Sequence, residues 1–357
     1  MRTVQIIDSL EIGGAEKMAI NYANALSVTN EFSGLVATRA EGKLKSQLNN
    51  SVSYLFLKKK ATLDFGAVFR LRKYCKENQV QFLQPHSSSY FTALLVKLVY
   101  PKVKIIWHDH NGLSEFISSQ KSFSLKIASF FFKGIIVVNY KLKEWAEKEL
   151  NCQKVIYLPN FTTIDNSTSR ETILKGESGK RILCLANLRD QKNHFLLLQV
   201  AEKLKQSHPD WTFHLVGKDF EDDYSAKVKA SIIAKNLENN VFIYDSKNDI
   251  KNILNQSDIA ILTSKSEGLP IALIEYGLSK KPVVSTKVGE IPLIINDGIN
   301  GFIVDVNDSD LFYQKLLRFI TKNDLRIQMG NSLHQTILEN NSEEGIITKY
   351  LNWILSL

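Results

Sequence analysis

Residues 259–275 read IAILTSKSEGLPIALIE, and this order of residue types specifies a strand, a turn and a helix. Ile259 to Thr263 opens on the short apolar run that a strand buried on both faces carries. The chain then turns through Gly268 and enters a second apolar segment with Pro270 near its first turn, where a missing N–H costs nothing. Such a unit is half of a βαβ crossover, and it leaves unbonded backbone N–H groups at the start of the helix. Glu267 stands just before that helix and Glu275 about two turns along it. The helix start suits a diphosphate, and two carboxylates there can accept hydrogen bonds from sugar or ribose hydroxyls. Glu267 as a plain helix cap and Glu275 as a solvated side chain is the structural alternative.

Outward from this stretch the same alternation fills the chain. Val4 to Ile7 is a buried-type run followed by Gly13-Gly14, and Ala15, Met18, Ala19, Tyr22 and Leu26 then line one helical face. Val80–Leu83, Lys104–Trp107 and Ile135–Val138 read as strands, with helical patterns at Tyr90–Val99, Phe123–Phe132 and Lys141–Leu150. The pattern breaks over Asn160–Gly179, which is rich in Asn, Ser, Thr and Gly, and resumes with strands at Arg181–Leu185, Thr212–Val216, Val241–Tyr244, Pro282–Ser285 and Gly301–Val304. Strands alternating with helices imply parallel sheets with right-handed crossovers. The expected organisation is an α/β domain at residues 1–165, a second at 166–340, and a closing helix at 341–357 that packs back toward the first.

The 357 residues suffice for two cores, and 44% hydrophobic with 23% charged side chains excludes a disordered chain. Three widely spaced cysteines form neither a metal cluster nor a complete disulfide framework, which points to a reducing, cytoplasmic setting. The N-terminus lacks a signal-peptide pattern, and the most apolar stretch, Ile127–Val138, is too short to cross a bilayer. Residues 1–160 hold 22 basic and 12 acidic side chains, a net charge of +10, which leaves −2 for the remainder. A solubilising basic surface is one reading of this split, and a half that meets an anionic membrane is the other. Phe123, Ile127, Phe130 and Phe131 recur at helical spacing with Lys121, Lys126 and Lys133 nearby, as in a helix lying in a membrane interface or one packed into a core. Nucleic acid is excluded as a partner, because the only basic triplet, Lys58-Lys59-Lys60, has no interleaved aromatics.

Further segments complete the pattern. They are Gly13-Gly14-Ala15-Glu16, the loop from Trp107 through His108, Asp109 and His110 to Gly112, Leu158-Pro159-Asn160, Leu215-Val216-Gly217, Lys281 to Thr286, Val288 to Pro292, and Asp297 to Gly301. Together with the Glu-x7-Glu spacing of Glu267 and Glu275 they resemble retaining glycosyltransferase family 4, glycosyl transferases group 1. The resemblance implies the GT-B fold, two Rossmann-like domains with parallel sheets facing a central cleft. It implies a nucleotide sugar as co-substrate, a glycan or lipid-linked glycan acceptor, and a role in cell-surface polysaccharide biosynthesis without a cofactor. Glu275 would bind the ribose, Glu267 the transferred sugar, and Lys192 the donor diphosphate, with Gly13, Gly14, Gly217, Gly268 and Leu269 around them. Where the family commonly has Gly-Arg-Leu this chain has Ala186-Asn187-Leu188, so Arg189 is the candidate for the missing second charge. His108, with His110 as the alternative, would touch the sugar or the reaction centre, and His86 and Glu16 would face the acceptor.

No metal site is expected, and Asp219, Asp222 and Asp223 read as an exposed acidic loop rather than a Mg²⁺ site. Gly13-Gly14 lacks the Gly-x-Gly-x-x-Gly spacing of a dinucleotide oxidoreductase. A glycosidase would also use two carboxylates but gives no use to Lys192 or to the diphosphate-binding helix. A sugar-nucleotide epimerase of the same fold is the nearest enzymatic alternative.

Overall fold

A computed structural model of the protein describes residues 1–110, 119–162 and 170–357. The chain divides into two compact units, one of Met1–Thr162 with Glu343–Leu357 and one of Thr163–Ser342.

The first unit is built on seven parallel strands: β1 (Arg2–Ser9), β2 (Phe32–Ala40), β3 (Ser53–Phe56), β4 (Phe82–Pro85), β5 (Lys104–Asp109), β6 (Phe132–Val137) and β7 (Val155–Tyr157). Their spatial order is β3-β2-β1-β4-β5-β6-β7, so the chain reverses its direction across the sheet between β1 and β4. Right-handed crossovers then place helices on both faces. Helices α2 (Phe65–Glu77), α3 (Tyr90–Val99), α4 (Ser119–Ser129) and α5 (Tyr140–Glu149) share a core with Val4, Ile6, Leu83, Ile105 and Trp107. Helix α1 (Gly14–Thr29) packs through Ala19, Ile20 and Ala23 on the opposite face, with Ile7 and Leu35. Strand side chains alternate between faces, so Gln5, Gln84 and His108 point away from the α2–α5 side. They lie with Tyr22 of α1 and Tyr350 of the last helix, α13 (Glu343–Leu355), which packs on α1.

Phe132, read from the sequence as the end of a helix, begins β6 instead, because α4 stops at Ser129. Phe123, Ile127, Phe130 and Phe131 lie outside the core, with 66%, 45%, 69% and 41% of their surface exposed. Phe65 and Phe69 of α2 and Leu98 of α3 are also exposed, and α3 contacts both α2 and α4.

The second unit repeats the plan with six parallel strands, β8 (Arg181–Leu185), β9 (Thr212–Val216), β10 (Val241–Tyr244), β11 (Ile259–Leu262), β12 (Val283–Thr286) and β13 (Phe302–Val304). Their order is β10-β9-β8-β11-β12-β13, and the reversal falls between β8 and β11. Helices α6 (His194–Ser207), α7 (Asp223–Ala234) and α11 (Ser309–Thr321) cover one face, and α8 (Ile250–Asn255), α9 (Ile271–Leu278), α10 (Ile291–Ile294) and α12 (Asn323–Asn340) the other. All three cysteines are buried as free thiols, and burial pushes those of Cys75 and Cys184 up to about 12. Among the described residues no helix is long and apolar enough to cross a membrane.

Candidate active site

In an open parallel sheet, the crevice at the carboxyl ends of the strands where their order reverses is the natural ligand site. In the second unit that point lies beyond β8 and β11, which pair only through Ile182 and Leu183 before they part. Tyr276 of α9 fills the opening: its hydroxyl accepts from the Leu185 N–H at 2.7 Å, which pins α9 to β8. Past β8 the chain runs through Ala186 to Lys192 and reverses at Asn193, whose φ of 52° is left-handed, a conformation asparagine tolerates better than most residues.

Two loops meet here. The Lys192 ammonium donates to Glu267 Oε1 at 2.5 Å, and the Ser264 hydroxyl donates to the same oxygen at 2.6 Å. Thr263 Oγ1 donates to the Lys192 carbonyl, Gln191 Nε2 to the Ser266 carbonyl, and Lys265 N–H to the Gln191 carbonyl. The Glu267 side chain keeps 8% of its surface exposed and that of Lys192 24%, so the pair is shielded but open on the lysine side. The Lys192 and Ser264 bonds both fall on Oε1 of Glu267.

Two glycines make the close approaches. Gly289 sits at φ 55°, and a Cβ there would fall 2.1 Å from the Glu267 carbonyl oxygen, so only glycine lets the β12–α10 loop lie on the Glu267-Gly268 backbone. A Cβ on Gly217 would fall 2.3 Å from the Ala186 carbonyl oxygen. Leu269 is buried, Gly268 is half-buried, and Pro270 stands one position before α9 rather than inside its first turn. Glu275 lies half-buried in the body of α9.

Arg189 is exposed, with its guanidinium 4.3 Å over the Phe220 ring. Asn187, at the position of the missing arginine, accepts the Lys218 N–H at 2.8 Å and ties the two glycine-side loops together. The acidic loop is structural: Asp219 pairs with Lys229, and Asp222 caps α7 by accepting the Ser225 N–H.

The first unit's reversal lies beyond β1 and β4. Gly13 caps α1, and the Glu16 carboxylate folds back over it, close to the positive end of the helix. Asp8, at the end of β1, accepts from Thr38, Ser88 and Ser89. Sequence reasoning passed over Asp8, although a carboxylate ending a buried apolar run was the available signal. Beside it Ser87 adopts φ 47°, a sparsely populated conformation for a serine.

His86 and His108 are fully buried, whereas His110 is partly accessible. His108, expected to touch the sugar or the reaction centre with His110 as the alternative, and His86, expected to face the acceptor, have no exposed surface in this structure. Both rings support His110 instead. His86 Nδ1 lies 2.7 Å from His110 Nε2, and the His108 and His110 rings are 3.9 Å apart. Burial holds all three far below the ordinary histidine range, His110 at about 3, with the neighbouring rings adding to the effect on His86 and His108. One nitrogen from each ring lies within 4.8 Å of the others, a spacing that could hold a metal ion; here the rings bond to one another and to glutamine amides. Asn111 and Gly112 of this loop lie outside the described residues.

Residues 165–335 match the sequence profile of glycosyl transferases group 1. The chain resembles the group 1 glycosyltransferases of GT-B fold. Anabaena HepE in complex with UDP and glucose superposes with a TM-score of 0.84 over 100% of both chains at 18% identity. The UDP-Gal:alpha-D-GlcNAc-diphosphoundecaprenol alpha-1,3-galactosyltransferase of Escherichia coli is 23% identical over 91% of this chain and 89% of that protein. The poly(ribitol-phosphate) alpha-N-acetylglucosaminyltransferase of Staphylococcus aureus is 26% identical over 61% of this chain, and the match spans 43% of its own length. The group 1 profile covers Lys192, Glu267 and Glu275, all in the second unit.

Proposed function

We propose that the protein is a retaining glycosyltransferase that moves a sugar from a nucleotide-sugar donor to a glycan or lipid-linked glycan in cell-surface polysaccharide synthesis. The observation that carries this reading is the Lys192–Glu267 pair at the strand-reversal point of the unit that matches the group 1 profile. As the glycosidic bond breaks, the departing nucleoside diphosphate gains negative charge, and a cation already held in place stabilises that charge without reorganising. Glu267 orients Lys192 through Oε1 and offers Oε2 to a sugar hydroxyl, and Glu275 binds the ribose. The start of α9 receives phosphate oxygens. With Lys192 and the helix start neutralising the diphosphate, turnover needs no divalent ion. His110 is the histidine that meets the reacting sugar in this reading, and Gly13, Gly14 and Glu16 border the first unit's own crevice.

The exposed Phe65, Phe69, Phe123 and Phe130, with Lys73, Lys76 and Lys126 exposed on the same helices, support a peripheral contact with anionic lipid at the cytoplasmic face of a membrane. Two relatives support the substrate classes: HepE was crystallised with UDP and glucose, and the Escherichia coli enzyme is named for a diphosphoundecaprenol acceptor. A thermal-shift screen of nucleotide sugars, followed by turnover with and without a chelator, tests the reading. A stabilising nucleotide sugar that is turned over equally in chelator supports it. Stabilisation by none of them, or a strict need for Mg²⁺ or Mn²⁺, contradicts it.

A further inference from the structure

The proton pattern of the histidine cluster follows from hydrogen bonds that begin at the far end of the chain. Tyr350, fully buried on α13, donates to Gln84 Oε1 at 2.6 Å. Gln84 on β4 and Gln5 on β1 are register partners, both fully buried, and Gln5 Nε2 donates to the same oxygen at 3.3 Å. With Oε1 so engaged, Gln84 Nε2 faces His108 Nδ1 at 3.1 Å, and a primary amide nitrogen can only donate. His108 therefore carries its proton on Nε2, a buried nitrogen with no hydrogen-bond partner among the described residues. Gln5 Oε1 can only accept, so His86, 2.8 Å away through Nε2, carries its proton there. His86 Nδ1 is then an acceptor, and His110 Nε2, 2.7 Å away, must be the donor. This leaves the lone pair of His110 on Nδ1.

We propose that Tyr350 is a positioning residue that sets the tautomers of His108 and His110 through Gln84 and Gln5. The two amides oppose each other, so they can reverse only together. Reversal would put Gln84 Nε2 against the Tyr350 hydroxyl, move the His108 proton to Nδ1, and turn His110 Nε2 into the acceptor. Burial keeps the rings neutral, so at neutral pH the position of the one proton decides which ring atom can accept from a ligand. Tyr350 thereby connects the C-terminal helix to His110, the residue that follows β5. The consequence for turnover rests on the reading of His110 as serving the reacting sugar; the tautomer assignment does not.

Long-range ¹H–¹⁵N spectra of the full chain test it without any substrate. The wild type should show His86, His108 and His110 protonated on Nε2, and Nδ1 protonation of His108 or His110 would overturn the proposal even if no variant folds. In Tyr350→Phe the His108 and His110 signals should shift toward a mixture of tautomers, while donor affinity stays the same and kcat falls about tenfold. A folded Tyr350→Phe with wild-type tautomers, or one that loses only melting temperature, overturns the proposal. A shift in tautomers with kcat unchanged supports the assignment and counts instead against a role for His110 in transfer. Tyr350→His, whose ring can still donate to Gln84, should restore part of the wild-type pattern.

Discussion

Replacing Lys192 by methionine keeps most of the aliphatic stem and removes the ammonium that lies 2.5 Å from Glu267 Oε1. Two consequences can be weighed separately. The first is stability: a hydrogen bond to a charged group is worth about 1.5 to 3 kcal/mol. Glu267 keeps the Ser264 hydroxyl, and the lysine side chain is 24% exposed, so water replaces part of the loss. The expected cost is near the lower bound, about 1.5 kcal/mol, or roughly 3 to 6 °C of Tm for a unit of this size. The second is turnover, where removal of one preorganised group that meets developing charge costs about 100- to 1000-fold in kcat. Steady-state kinetics at 25 °C, where the variant stays folded, with a melt beside them, separate the two. Glu267→Gln and the double variant close a cycle, and non-additive losses in kcat are expected because the pair acts as one unit. A kcat within about threefold of wild type would refute the assignment of Lys192 to the leaving group.

Glu275→Ala should weaken nucleotide-sugar binding at least about tenfold in calorimetry, because one acceptor for the ribose is lost; unchanged affinity removes Glu275 from the site. Acid should destabilise both units early, the first through His86, His108 and His110 and the second through two further histidines. Burial holds His194 at about 4 and His214 at about 3, with the Lys192 charge adding to His194 and the Arg181 charge to His214. Both are neutral when folded and bind protons on unfolding, so their contribution is intact above about pH 6.5 and lost as pH falls toward those values; by pH 5 each costs about 2 kcal/mol. Denaturant midpoints equal at pH 7 and pH 5 would contradict this. Finally, the intact protein should co-sediment with anionic vesicles at low salt, and Phe123→Glu with Phe130→Glu should keep it in the supernatant while leaving donor binding unchanged. Wild-type protein that stays in the supernatant at low and physiological salt would remove the membrane contact.

The second unit was more legible in the sequence than the first. Its strands Arg181–Leu185, Thr212–Val216 and Val241–Tyr244 were readable to the residue, because each is an apolar run bounded by polar turns. In the first unit β2, β3 and β7 escaped notice. β2 carries Ser33, Gly34, Thr38 and Arg39 among its apolar residues, β7 has only three residues, and β3 and β7 are edge strands. The Glu267 and Lys192 positions followed from loops that leave strand ends, whereas their bond joins residues 75 apart and no local pattern encodes it. The histidine cluster shows the limit more clearly. His86 and His108 looked alike as polar residues at strand ends, yet parity and the cover of α1 and α13 bury both, and the partner that orders them, Tyr350, is 266 residues from Gln84.

Sheet topology explains why chemistry and charge reside in different parts of this chain. In each unit the strand order reverses once, and a left-handed, non-glycine residue stands next to a singled-out side chain, Ser87 after His86 and Asn193 after Lys192. Strain of this kind costs of order 1 kcal/mol or more and persists only where the surroundings hold it, as the tight loop-to-loop bonds do at Lys192. The crevices are thus fixed by backbone geometry and a few buried bonds. The basic and aromatic side chains of α2 and α4 stand on a helical layer outside the sheet, where substitutions do not disturb those bonds. Charge reversal on that layer should abolish the proposed vesicle binding and leave the Lys192–Glu267 pair intact, so the membrane proposal and the transfer proposal can be tested separately by mutation.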